Sequence, residues 1–185
     1  NFSSNIMIRI KTTLLLSVIF ISQLGIAQVG DPFPTIQVSD LNEDSLTLPE
    51  DSKGKYTLIG VAFSEDAQND LYTWSDPVFQ KFMNDDNLNS LVYDPNVYLI
   101  LMFTGVNSLA ANKAKEKIKE GTDESLKDNL VIYKGKMEDY RKKLKMKNRK
   151  VPYFFVLDRE GTVIYETQGS YQFHILEKVG EMIEE

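Results

Sequence analysis

Three nearly unbroken apolar runs constrain this chain more than any other feature: Tyr56 to Phe63 (YTLIGVAF), Val97 to Phe103 (VYLILMF) and Tyr153 to Leu157 (YFFVL). A strand with one wet face alternates apolar and polar residues, whereas a run apolar at every position fits a strand covered on both faces. Helical patterns separate the runs. Ser64-Glu65-Asp66-Ala67 supplies an N-cap and an acidic first turn, and Leu71, Trp74, Val78, Phe79 and Phe82 follow at helical spacing. Trp74 is expected as a core anchor, and Pro77 predicts a kink or break. Leu109 to Lys119 predicts a lysine-rich helix, Leu130 to Tyr133 a short strand and Met137 to Leu144 a basic helix. The turn Asp158-Arg159-Glu160-Gly161 joins the third run to Thr162–Thr167 as a hairpin. Phe173, Leu176, Val179, Gly180 and Ile183 then mark one face of a closing helix. Upstream, Thr35–Val38 and Ser45–Leu48 alternate across a polar turn, as a strand, turn and strand would. Strands alternating with helices, followed by a hairpin and a helix, define an α/β sandwich around a central mixed sheet with an N-terminal hairpin extension.

The second constraint is chemical. The chain contains no cysteine and a single histidine, His174. Thiol redox chemistry, disulfides, thiolate metal sites and cysteine nucleophiles are thereby excluded. His174 has no second histidine to complete a metal pair and is expected as an ordinary helix residue. The glycines form no phosphate cradle. Asp40, Asn42, Asp44 and Asp51 stand at spacings that resemble a calcium loop, but Ser45 occupies the position that needs glycine, so a solvated hairpin turn is expected. No cofactor and no metal are expected.

Met7 opens a segment read as a leader rather than as fold. Arg9 and Lys11 provide a positive region, Leu14 to Leu24 an apolar one, and Gly25-Ile26-Ala27 a small-residue cleavage site that leaves Gln28 or Val29 as the new terminus. The apolar stretch is shorter than the roughly 18–20 residues of a spanning helix, and a lipoprotein would need a cysteine at the cut. Residues 1–27 are therefore expected as a signal peptide, with Asn1 to Ile6 set aside as preceding the start. Residues 28–185 form a single domain, exported, periplasmic and soluble. Net charge is −6 before Arg9 and Lys11 are removed, which argues against nucleic-acid binding. The basic residues concentrate in Lys134–Lys150, which holds nine of them against two acidic ones. Met137, Tyr140, Leu144 and Met146 run through this stretch as an apolar series. Together these suggest a secondary contact through Arg141, Lys142 and Lys145 with anionic membrane or an acidic partner.

Three passages resemble the thioredoxin superfamily, nearest its exported TlpA and peroxiredoxin-like branch. They are Gly30-Asp31-Pro32-Phe33-Pro34 with its hairpin, Gly54-Lys55-Tyr56 leading through the first apolar run into a helix, and Val151-Pro152-Tyr153-Phe154-Phe155-Val156-Leu157-Asp158 with Gly161 and Gly169. The third is similar to the family's cis-proline loop, strand and glycine-ended hairpin. The resemblance implies a redox pair beginning five residues after Phe63, where this chain has Gln68-Asn69-Asp70-Leu71. A peroxidatic cysteine would fall near Tyr72. Neither register supplies sulfur, so the family's activity does not carry over. What it implies of peptide docking remains: the residue before the loop proline, here Val151, offers backbone groups to an extended chain. Gln68, Tyr72, Val151 and Pro152 are therefore the candidate binding groove. A scattered set, with Trp74, Pro77, Phe82, Arg141 to Leu144, Asn148, Tyr153 to Asp158 and Gly169, resembles the ATP10 family, thioredoxin-like assembly factors for mitochondrial ATP synthase.

The expected function is thus a thioredoxin-fold module without redox activity that binds or assembles a protein or peptide partner. One alternative is a non-thiol enzyme using Glu65, Asp66 and Asp70, although a helix N-terminus stabilises acidic side chains without such a role. A structural subunit of an envelope complex is the other.

Overall fold

The computed structural model describes residues 29–84, 86, 92–103 and 108–184. The expected leader lies outside the described residues. Among them, the elements in chain order are β1 (Ile36–Ser39), β2 (Ser45–Leu48), β3 (Thr57–Ala62), α1 (Glu65–Phe82), β4 (Asn96–Phe103), α2 (Ser108–Gly121), β5 (Leu130–Lys134), α3 (Glu138–Lys143), β6 (Tyr153–Leu157), β7 (Val163–Gln168) and α4 (Phe173–Ile183). Seven strands form one sheet in the order β2-β1-β5-β4-β3-β6-β7. β3, β4 and β5 pair in parallel, while β6, β7, β1 and β2 join antiparallel. The expected mixed sheet is therefore present, and the apolar runs supply its centre.

Every residue of β3 is buried, because each face of the sheet has its own cover. On one face, Leu58, Ala62, Leu99, Leu101 and Phe154 pack under Leu71, Trp74 and Val78 of α1 and Leu176, Val179 and Ile183 of α4. On the other, Ile59, Val61, Ile100, Phe155 and Leu157 pack under Phe33, Met137, Leu144 and Met146. Trp74 is the anchor expected: its ring lies 4.2 Å from that of Phe154, and its indole N–H donates to the Gly169 carbonyl at 3.0 Å. α1 runs through Pro77 without a break.

The N-terminal turn is the expected hairpin. The buried Asp40 carboxylate accepts the backbone N–H groups of Asn42 and Asp44 at 2.8 and 2.9 Å, and Asp51 accepts that of Thr47 at 2.6 Å. These carboxylates serve the turn's own amides.

Two side-chain expectations change. Phe173 is 68% exposed. It opens α4, one turn before the buried stripe of Leu176, Val179, Gly180 and Ile183, and Tyr171 packs edge-on against Trp74 in its stead. The apolar series of the basic segment is also spoken for. Met137, Leu144 and Met146 are buried in the second core, and Tyr140 packs against it with its hydroxyl donating to the Thr35 carbonyl. These side chains point into the protein and leave only charge for an outside surface.

Gly60, at the middle of β3, sets how closely the layers meet. A Cβ there would lie 2.8 Å from Phe154 Cε1 and 2.9 Å from Leu71 Cδ1. Glycine in a strand interior marks such an approach. Gly60→Ala should therefore destabilise the fold by about 1–3 kcal/mol through overpacking, read as a lower urea midpoint at unchanged slope.

Candidate functional site

Ser64 joins the central strand to its helix and holds the neighbouring loop in place. Its backbone is extended (φ −152°, ψ 165°), and its Oγ accepts the Ala67 N–H at 3.1 Å, capping α1. The same hydroxyl donates to the Arg149 carbonyl at 2.6 Å. The loop before β6 is then fixed locally: the Asn148 N–H donates to the Tyr153 hydroxyl at 2.7 Å, and the Lys150 N–H to Asn148 Oδ1 at 3.0 Å. Tyr153 stacks on Phe63 at 6.2 Å. Glu65 and Asp66 sit exposed in the first turn of α1, where the helix dipole favours them.

Beside this junction opens a cleft of about 960 Å³ between α1 and α2, floored by β4 and β5. Val97, Leu99, Leu101 and Leu130 form an apolar floor, while Glu65, Lys117, Asp123 and Arg149 are among the polar groups lining it. Gln68 and Tyr72 line the α1 side, one helical turn apart, with the Gln68 side-chain N–H₂ donating to the Tyr72 hydroxyl at 2.6 Å. Tyr72 is 40% exposed. Partial burial pushes its phenol above the ordinary value, and the hydrogen bond from Gln68 acts in the opposite direction. The position two residues from Gln68 is Asp70 and the next is Leu71, whose side chain is fully buried in the core.

The four expected groove residues therefore separate into two pairs. Gln68 and Tyr72 share the cleft; Val151 and Pro152 do not line it. Val151 packs against the core on the opposite face of the sheet, and Pro152 is buried with its carbonyl accepting the Gly169 N–H at 2.9 Å. The cis-proline geometry implied by the resemblance is absent from this loop: the cis peptide bond among the described residues joins Leu48 to Pro49. The bonds through Asn148, Tyr153 and Ser64 shape the turn instead. Among the described residues, no hydrogen bond engages the Val151 backbone. Arg149, which sequence reasoning passed over, links the two halves, since it lines the cleft and stands two residues before Val151.

Of the basic candidates, Arg141 is held in an ion pair with Glu138, its Nη2 2.9 Å from Oε1. This pairing lowers the Glu138 carboxyl and raises the Arg141 guanidinium from their usual values. Lys142 and Lys145 are exposed. His174 is exposed on α4, as expected of an ordinary helix residue. Among the described residues no three histidine, aspartate or glutamate side chains converge as a metal ion would require.

With β3 passing into α1 through a capped junction, a buried proline loop before β6 and a terminal hairpin and helix, the fold is thioredoxin-like. It is similar to the exposed lipoprotein thioredoxin Etrx1 of Streptococcus pneumoniae strain TIGR4, at TM-score 0.56 and 17% identity over 80% of this chain and 99% of that one. A putative thiol:disulfide interchange protein DsbE from Chlorobium tepidum gives TM-score 0.56 at 12% identity, covering 84% and 96%. The mitochondrial 2-Cys peroxiredoxin of Plasmodium falciparum gives 0.54 at 16%, covering 84% and 94%. At these identities the likeness establishes the fold alone. No protein-family model matches the sequence, and no curated protein matches it. The narrower ATP10 resemblance is not shown by these comparisons.

Because one hydroxyl both caps α1 and ties down the loop, Ser64→Ala should cost about 0.5–2 kcal/mol of stability. Ser64→Thr should recover most of it, as judged by chemical denaturation of all three proteins.

Proposed function

We propose that this protein is an exported, redox-inactive thioredoxin-fold module that binds a segment of another polypeptide in the cleft beside Gln68 and Tyr72. The observation that carries the reading is the cleft itself. It opens at the start of the helix after the central strand, where the thioredoxin resemblance locates a redox pair, and an amide and a phenol stand there instead of thiols. An apolar floor with a rim of both charges suits the side chains of a peptide better than a single small polar molecule. Tyr72 offers a rigid surface with a polar tip, a residue type favoured at binding hot spots. Lys142 and Lys145 supply a secondary, salt-sensitive contact with an acidic surface.

Export rests on the sequence of residues 7–27 and is compatible with the fold. A cut after Ala27 would leave Gly30, whose N–H donates to the Val163 carbonyl at 2.7 Å, on the mature chain. The intact mass of protein isolated from the cell envelope should begin at Gln28 or Val29; a mass beginning at Met7 would refute cleavage.

A photo-crosslinking residue at Gln68, with Glu181 on the exposed side of α4 as control, tests the binding reading in living cells. A discrete adduct from Gln68 alone is expected, and it should be lost with Tyr72→Lys. Equal labelling from both positions, or none from Gln68, would refute a polypeptide partner in the cleft.

A further inference from the structure

The two outer edges of the sheet are finished differently. On β2, the outward amide of Thr47 is taken by the Asp51 carboxylate, and the next outward position is Pro49, which has no amide. On β7, the outward groups of Val163 are taken by the N-terminal segment: Val163 N–H donates to the Asp31 carbonyl at 3.0 Å, and Gly30 N–H to the Val163 carbonyl. Pro32 bridges Thr162 antiparallel. That cover ends in a turn at Val29–Gly30, where Gly30 has φ 96°.

Beyond it, no described segment covers the edge. In an antiparallel ladder, residues alternate between facing the partner and facing away. The Gly169 N–H donates inward to Pro152, and Tyr153 pairs with Gln168, so Gln168 and Glu166 direct their N–H and C=O groups outward. Among the described residues no hydrogen bond engages these groups, and both side chains are exposed. An uncovered edge of this kind is a template for a further strand. The Glu166 carboxylate has no ion-pair partner among the described residues. Half-buried Ile164 and Tyr165 belong to the opposite face.

The geometry points to the Glu166–Gln168 edge as a second docking surface, which adds an extended segment of another polypeptide carrying a basic residue opposite Glu166 and apolar residues on the alternate face. It continues the edge that Gly30–Pro32 already occupies, and β3 and β6 separate it from the strands flooring the cleft.

Residue-resolved amide hydrogen exchange tests this, with a blocked five-residue peptide alternating lysine and valine as the probe. In the free protein the Glu166 and Gln168 amides should exchange at least about tenfold faster than that of Thr167. Saturating peptide should remove that difference. Gln168→Pro deletes an amide that makes no bond within the fold, and should abolish the protection while leaving Gln68 crosslinking intact. If that variant does not fold, Glu166→Lys should shift preference to the peptide with glutamate in place of lysine. Absence of peptide-dependent protection at these two amides would overturn the proposal, as would undiminished peptide binding by Gln168→Pro or an unchanged peptide preference in Glu166→Lys. Protection rising with protein concentration alone would overturn it in favour of pairing between two copies of the chain.

Discussion

Burial of β3 on both faces is the constraint from which the remaining architecture follows. Once a strand has no wet side, one layer must cover each face, and each cover must bring its own apolar stripe. α1 and α4 do this on one side. On the other, the work is divided between Phe33 and the residues flanking α3, Met137, Leu144 and Met146. Gly60 lets the helix layer settle onto the strand without a side chain between them. The same closeness brings the start of α1 beside the loop before β6, where Ser64 and Arg149 meet.

This arrangement explains how a thioredoxin-like fold stands without sulfur. The core needs nothing from Gln68 to Leu71 except the apolar side chain of Leu71, which is fully buried. Gln68 faces the cleft and makes its hydrogen bond one turn along the same helix. Structure and chemistry at this corner are therefore separable. The fold is maintained by packing and by a serine cap, and the surface is left to whatever the half-buried amide and the exposed phenol can hold.

Much of this was readable from residues alone. The apolar runs announced the central strands because full burial erases the period-two alternation, and the Ser64 cap announced the start of α1. Trp74 was legible as a core anchor for the same reason. Other features depended on distant partners. Nothing local in Val151-Pro152 reveals a trans bond held by Tyr153, Asn148 and Ser64. The apolar series in the basic segment is consistent with either a lipid-facing or a core-facing stripe, and only the sheet beneath it decides. Phe173 has the right spacing for the closing helix but lies one turn beyond the surface that helix covers. The cleft was invisible because its walls come from elements far apart in sequence.

One wall of that cleft is attached unlike the others. Among the described side chains of α2, Ile118 reaches the first core, and three ties are polar: Lys115 to Glu43 and Lys119 to Asn42, both at 3.3 Å, and Asn112, whose Oδ1 accepts from Lys134 at 3.2 Å. Glu43 is 83% exposed, so water and salt compete for its partner. The contacts of Lys115 and Lys119 therefore weaken as salt rises, and the β1–β2 turn is where α2 carries that sensitivity.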